Sequence, residues 1–477
     1  MAIALFLAPL LLAFTALVLP ARMDRSWLVP LGAAVHLALV VVALADPDPV
    51  ALRGWLALDP LGRIVLPLIS GLYFACSLYV PGYLSQRPEE RHRIFCAALL
   101  AFLAMMTLII LSHHLGLMWV ALEANTLVSA PLLYFNRNRR SLEATWKYLL
   151  IGGVGIALAL LGTFFLAYSA LHAGRHASLL IDDLVREAPL LSRPWLHTAF
   201  VVLFVGYGTK MGLAPMHTWK PDAYGEAPGL VGALLAGGLT SCAFLALLRF
   251  YQICAAAGQA VFARDLMVAI GLLSMAVAGV FMARQRDYKR LLAYSSVEHM
   301  GILVLGVGIG GLAMFGALLH LVVNALTKGV MFMAAGNIHR AYGSKSIDQV
   351  SGALRRVPVS GALLLAGFFA VTGSPPFGPF LSEFTILRGA IGEGRYGIAA
   401  AFLVLLFVVF VGMGGTVLAV VQGKPRDDLP ETGYRDTLGM VGPPLLLLAA
   451  VTLLGVWLPP ALDDALHAAA AYVEGAA

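Results

Sequence analysis

Apolar runs of about twenty residues follow one another along almost the whole chain, and they restrict the possible folds more than any other feature. A helix of roughly twenty apolar residues crosses the hydrocarbon core of a bilayer. Lipid offers the backbone no hydrogen-bond partners, so each run must satisfy its own polar groups, as a helix does. About fourteen runs can be counted, the first seven centred near residues 2–19, 27–45, 60–80, 94–111, 114–134, 146–169 and 196–214. The others centre near 228–254, 262–283, 290–309, 311–336, 358–390, 397–421 and 438–458. With 60% hydrophobic and 12% charged residues among 477, the chain is too apolar for a soluble globule of its length. The expected fold is an all-α polytopic membrane protein.

The first run has no basic residue ahead of it and carries Arg22 and Arg25 behind it. That polarity is the reverse of a secretory signal, so a retained first helix is expected. Cys76, Cys96, Cys242 and Cys254 form no CxxC and sit in apolar runs, as small core residues rather than ligands or disulfide partners. No P-loop and no metal or iron–sulfur motif is present, so no cofactor, metal or nucleotide is expected. A net charge of +6 would suit a nucleic-acid partner, but loop topology explains it better.

Basic residues in alternate connections test the number of runs. Arg22 and Arg25, Arg87, Arg91 and Arg93, Arg137 to Lys147, Lys220, Arg284 to Arg290, Arg340 to Arg356, and Lys424 to Arg435 together hold 21 of the 32 lysines and arginines. The opposite connections and their flanks, Arg249 among them, hold nine. By the positive-inside rule the richer side is cytoplasmic, the number of spans is even and both termini lie outside. Two connections are long. His172 to Trp195 contains SLLIDDLVREAPLL, which suits a short amphipathic helix at the interface, and Arg340 to Pro358 is polar and basic.

One run is interrupted. In VVLFVGYGTKMGLAPMHTWKPDAYGEAP, Val201 to Pro228, Lys210 stands nine residues into an apolar helix and Pro215 removes a backbone donor soon after. A charge in a bilayer core costs roughly 2.5–3.5 kcal/mol on insertion scales and marks an ion path by default. Broken helices at membrane depth are tolerated where they are buried in protein or line a wet cavity. A second interruption, Pro375, Pro376 and Pro379, precedes Glu383. Charge then break in the seventh run, and break then charge in the twelfth, suit two halves of inverted topology.

Other polar residues fall at membrane depth. Glu123, midway along its run, needs a partner, and Lys210 is the candidate. Opening and closing of such a pair would switch the lysine between holding and releasing a proton; a static pair fastening two helices is the alternative. His320, Asn324 and Lys328 recur every four residues and so share one helix face, a stripe suited to a proton relay, with Thr327 beside it and Glu383 as its terminal group. His217, near the break, is expected to meet water on the cytoplasmic side or to cap a helix. Glu298 and His299, in YSSVEHMG, are expected near the interface, as are His113 and His114.

At these residues the chain resembles the antiporter-like, proton-translocating subunits of respiratory complex I and membrane-bound group 4 hydrogenases, most of all the F type of hydrogenase-4. The stretches that carry the likeness are LGLMWVALEANTL, SLEATWKYLLIGGVGIALALLGTFFLAY, GTKMGLAPMHTWKPDAYGEAP, RLLAYSSVEHMG, NALTKGVMFMAAGNI and TGSPPFGPFLSEF. The resemblance implies fourteen helices, broken at the seventh and twelfth. It divides the chain into an N-terminal three-helix segment (1–93), inverted five-helix units of helices 4–8 (94–254) and 9–13 (255–421), and a last helix with its tail (422–477). It gives Glu123 and Lys210 the roles of the helix 5 and helix 7 pair, Lys328 that of a central lysine, His320 that of a relay histidine and Glu383 that of a helix 12 carboxylate. The chain departs from such relatives at helix 8, GGLTSCAFLALL, where only Thr240 and Ser241 stand in for a bridging lysine or histidine. Asn324 replaces a second histidine of some relatives, and Lys220 an apolar residue.

The function expected is translocation of protons, with sodium ions second, by a subunit without a catalytic centre of its own in a bacterial or archaeal cytoplasmic membrane. Other membrane and peripheral subunits of a hydrogenase-like or complex I-like assembly would supply the redox energy. The alternatives are a stand-alone secondary cation/proton antiporter, and a structural or energy-coupling membrane subunit of another complex such as one for inorganic-carbon uptake.

Overall fold

The computed structural model describes the chain except residues 21–23, 47–49, 86, 88–91, 176–177, 426–431 and 476–477. Arg22, Arg91 and Arg426 of the charge argument therefore lie outside the described residues. The first helices are α1 (Ala2–Val18), α2 (Leu28–Ala45), α3 (Pro60–Leu84), α4 (His92–Leu111), α5 (Leu115–Leu133), α6 (Arg139–His172) and the short α7 (Ile181–Glu187). Then come α8 (Arg193–Met211), α9 (Trp219–Glu226), α10 (Gly229–Leu234), α11 (Thr240–Ala256), α12 (Ala260–Met282), α13 (Tyr288–Ile309) and α14 (Leu312–Tyr342). The series ends with α15 (Ala353–Arg356), α16 (Pro358–Val371), α17 (Gly378–Gly392), α18 (Tyr396–Val421), α19 (Leu438–Val456) and α20 (Pro460–Glu474). A π-helical segment, Leu235–Leu239, joins α10 and α11 into one long helix.

Eleven helices among the described residues are long and apolar enough to cross a membrane, while α1 and α16 are apolar but shorter. Several helices outrun their apolar stretches. α6 starts at Arg139, where Asn138 and Ser141 form a capping box, and so carries Arg140 and Lys147 in its first turns. Hydropathy marks only the part of a helix that lipid surrounds; caps set its ends.

The middle of the bundle is formed by the α10–α11 helix, α13 and α14, whose spanning windows are 100%, 100% and 94% buried. α2, α12 and α18 lie outside, each 39% buried, and expose Val41, Val280 and Phe407 on faces suited to lipid. Small residues bring helices together: a Cβ on Gly206 of α8 would stand 2.6 Å from the Ala159 nitrogen of α6. Gly310 and Gly311, at φ +82° and +53°, let the chain reverse between α13 and α14 in two residues.

The amphipathic helix expected after His172 is α7. Asp182 on it lies 3.3 Å from His113 Nε2, and this imidazole holds the Asp182 carboxyl below its ordinary value. His113 itself is buried, whereas His114 stacks on Trp55 and caps α5 by accepting from the Leu117 amide. The stretch beyond residue 458, read as a tail, folds into α20, and Glu474 there accepts from Arg264 at 3.0 Å and from the Gly311 amide at 2.9 Å.

Candidate functional site

The first interruption is built as a helix end inside the bundle. Gly212 adopts the left-handed conformation at φ +76°, and its amide and that of Leu213 bond back to Thr209 and Gly208. The groups freed by the break find side chains: the Ala214 amide donates to Ser274 Oγ at 3.0 Å, and Trp219 Nε1 donates to the Thr209 carbonyl at 2.9 Å. Lys210 falls in the last turn of α8, where the negative end of the helix dipole favours a cation. Its side chain is 1% exposed and its ammonium donates to Thr126 Oγ1 of α5. Glu123 Oε2 stands 3.8 Å away on a side chain that is 30% exposed, and the Tyr148 ring centroid is 5.8 Å away. The expected pair is therefore present, with a hydroxyl nearer to the ammonium than the carboxylate.

The second site lies around α14. His320, Asn324 and Lys328 are all buried, and Lys328 Nζ donates to Ser295 Oγ of α13 at 2.7 Å. His320 Nε2 is 2.9 Å from His299 Nδ1, and its Nδ1 is 2.8 Å from Ser382 Oγ of α17, a chain of three polar side chains from three helices. Glu298 Oε2 is 3.9 Å from His299 Nε2. Glu383 follows the second interruption, residues 372–377, and its carboxyl carbon lies 3.1 Å from where a Cβ on Gly373 would stand. One oxygen each of Glu123, Glu298, Asn324 and Glu383 has no hydrogen-bond partner among the described residues. Both interruptions contain a cis X–Pro bond, Ala214–Pro215 and Pro375–Pro376.

Several expectations are corrected. Glu298 and His299 are not interfacial but fully enclosed, because α13 runs through the middle of the bundle. Lys220 and Lys289 do not belong to an exposed basic loop. Lys220 bonds Ser296, and Lys289 Nζ donates to the Ala227 carbonyl at 2.6 Å. His217 is buried beside Phe281 and Tyr294, its Nδ1 has no hydrogen-bond partner among the described residues, and the helix that follows it has no side-chain cap. Thr240 and Ser241, the polar pair of helix 8, donate at 2.6 Å to the Ala236 and Gly237 carbonyls of their own helix.

Other polar groups were missed. Arg249, read as an outer flank residue, is fully buried, 2.9 Å from Asp59 and bonded to the carbonyls of Ile109, Ile110 and Ser112. His36 holds Ser70 and Thr107 at 2.9 Å each. The only hint in the sequence was a lone polar residue inside an apolar run. Ligand atoms of His299, His320 and Glu383 all lie within 4.8 Å of one another, a grouping able to hold a metal ion; the three come from three helices and share no sequence motif. The four cysteines are free and buried. At one end of the bundle a charged cleft of about 1070 Å³ is lined by Asp222, Glu226, Asp287, Arg290 and Lys345. Ion pairs cross it, Arg290 to Asp222 at 2.6 Å and Lys345 to Glu226 at 2.6 Å.

Spanning helices closed around lysines, histidines and carboxylates define the class: a polytopic integral membrane protein with an ionisable interior. Residues 112–410 match the model of the NADH:quinone oxidoreductase/Mrp antiporter transmembrane family, and the chain belongs to that family. It is 36% identical over 449 residues to a "Hydrogenase-4 component F homolog" of Methylacidiphilum infernorum, covering 91% of this chain and 92% of that one. It is 30% identical to NADH-quinone oxidoreductase subunit N of Desulforudis audaxviator, covering 84% of this chain and 81% of the other. In fold it is similar to a chain of the Mrp complex from Dietzia sp., with a TM-score of 0.88 at 19% identity over 99% of this chain and 97% of that one.

Proposed function

We propose that this chain is an ion-translocating subunit of a multisubunit membrane complex, moving protons while partner subunits supply the energy. The observation that carries the reading is the set of titratable groups enclosed in the apolar bundle. Lys210 faces Glu123, and Lys328 stands near a hydrogen-bonded run from His299 through His320 to Ser382. Groups this costly to bury are kept where ions move. Protons suit the second site better than sodium, because its groups are rich in nitrogen, whereas hard cations take oxygen ligands. Moving one elementary charge against 100 mV takes about 2.3 kcal/mol, and nothing among the described side chains supplies it. A driver is needed, and the names of the relatives support a hydrogenase-like or quinone-reducing assembly in a bacterial or archaeal cytoplasmic membrane.

In this reading α8 with α9, α10 with α11, and α16 with α17 each count as one crossing and α7, α15 and α20 do not cross, which makes fourteen with both termini outside. Residues 94–254 and 255–421 form the two inverted units, each with one broken helix. The charged cleft at Asp222 and Glu226 is the cytoplasmic mouth, in keeping with the basic residues around it.

The test is ion translocation by the assembled complex in sealed vesicles. Lys210→Ala and Lys328→Ala are each expected to cut it at least tenfold. If both leave it unchanged, the charges only fasten helices and the reading is wrong. The chain alone in liposomes is expected to exchange no ions; exchange there would point to a stand-alone antiporter.

A further inference from the structure

Lys220 is a buried cation that the two sites leave unused. It stands in the first turn of α9, just beyond the first interruption, and is 0% exposed. Its methylene stem lies against Gly212, where a Cβ would stand 2.5 Å from Lys220 Cε and 3.1 Å from Cγ. The stem thus occupies space that only a glycine leaves open, two residues along the chain from Lys210. Its ammonium donates to Ser296 Oγ at 3.0 Å and, at 3.4 Å, to the Ser296 carbonyl, with the Tyr224 ring centroid 5.7 Å away.

The neighbour of Ser296 on α13 is Ser295, the acceptor of the Lys328 ammonium at 2.7 Å. Two lysines from distant parts of the chain therefore end on consecutive serines of one helix. Among the described residues neither makes an ion pair within 4 Å. Unpaired charges in such a place are costly, and two of like sign repel as well. A hydroxyl both donates and accepts, so it can take a proton on one side while releasing one on the other. The hydroxyls of Thr240 and Ser241 are engaged with their own helix and offer no such link.

We propose that Lys220 is a proton carrier that joins the Lys210 side of the molecule to the Lys328 site through Ser296 and Ser295. The inference rests on the proton-translocation reading above. In the transfer the Lys220 ammonium gives a proton to Ser296 Oγ, while the Ser296 hydroxyl proton passes by way of a water molecule and Ser295 to the Lys328 amine. Lys220 ends neutral and Lys328 charged, and only N–H and O–H bonds form and break.

The experiment measures proton translocation per turnover of the assembled complex in sealed vesicles for K220M, K220R, S296A and S296T, beside K210A and K328A. K220M is expected to lose at least tenfold with an unfolding midpoint no lower than wild type, since it removes an unpaired buried charge. K220R is expected to lose as much, because a guanidinium keeps its charge but does not release its proton. S296A should lose about tenfold and S296T, which restores the hydroxyl, should stay within twofold of wild type. Wild-type translocation by K220M or K220R, with K210A and K328A inactive, overturns the role of Lys220 and leaves the wider reading intact. If K210A and K328A are themselves unaffected, the wider reading fails and this one with it. Should K220M not assemble, the serine variants decide, and S296A at the wild-type rate overturns the proposal.

Discussion

The two lysine sites hold their charges in different ways. Lys210 has a carboxylate at 3.8 Å, on a Glu123 side chain that is 30% exposed at the side of the bundle. Lys328 is 0% exposed, donates to the hydroxyl of Ser295 and interacts with the enclosed carboxylates of Glu298 and Glu383 from outside ion-pair reach, with a chain of two imidazoles and a serine nearby. One site sets a partly exposed carboxylate within ion-pair reach of its ammonium; the other sets a hydroxyl there and two enclosed carboxylates farther off. Removal of Lys210 strands a carboxylate that reaches the surface, whereas removal of Lys328 strands two that do not. The same substitution is therefore expected to cost at least as much stability at the second site as at the first.

Four measurements sharpen or break that contrast. The largest effect is expected from His320→Ala, which strips His299 Nδ1 of its partner and Ser382 of one of two, Pro379 remaining. A buried polar group left unmade costs about 1–3 kcal/mol, so the unfolding midpoint should fall and translocation should drop more than tenfold. A variant as stable and active as wild type would dissolve the second site as a connected unit.

Next, Lys210→Met should destabilise the purified protein by about 1–3 kcal/mol. That is less than the 3–5 kcal/mol of a fully buried broken pair, because Glu123 reaches the surface. Lys328→Met should cost at least as much, since the enclosed Glu298 and Glu383 lose their counter-charge. A smaller loss for Lys328→Met than for Lys210→Met would remove the distinction.

A smaller effect is expected at Gly152, where an added Cβ would stand 2.9 Å from Lys210 Nζ. Gly152→Ala should push the ammonium from its seat and lower translocation about threefold, with no change at the Lys328 site.

The smallest concerns a pair outside both sites. His113 holds the Asp182 carboxyl below its ordinary value of 3.8, so the contribution is complete above that value and is lost as pH falls through the depressed one. The Asp182 side chain is 74% exposed and solvent screens the pair. Asp182→Asn should cost less than about 1 kcal/mol at neutral pH and nothing in strong acid, read from the unfolding midpoints of wild type and variant.

Much of the first site was legible in the sequence and less of the second. Lys210, Glu123 and Pro215 are each exceptions within apolar runs, and Glu123 was the carboxylate whose place midway along such a run called for a cation. The stripe of His320, Asn324 and Lys328 showed by its spacing, but its partners did not. Ser295, His299 and Ser382 look unremarkable in sequence, and Glu298 and His299 were misplaced because a basic flank suggested the interface. That flank belongs to Lys289 and Arg290, which lie at the start of a helix that afterwards enters the middle of the bundle. Lys220 was misread for the same reason: a lysine beside Pro221 reads as a loop residue, yet its side chain turns inward past Gly212.

The sequence by itself determined that the chain crosses a membrane, where two of its helices break, and that ionisable groups lie at membrane depth. Lipid penalises each polar residue individually, so an exception in the middle of an apolar run shows in one dimension, whereas one near its end, such as Arg249, does not. Only the tertiary structure decided which groups meet. His299 finds His320 across 21 positions, Lys220 finds Ser296 across 76, and Arg249 finds Asp59 across 190. A hydrogen bond forms over about 3 Å of space whatever the distance along the chain, and the packing of α3, α9, α11, α13 and α14 set those meetings.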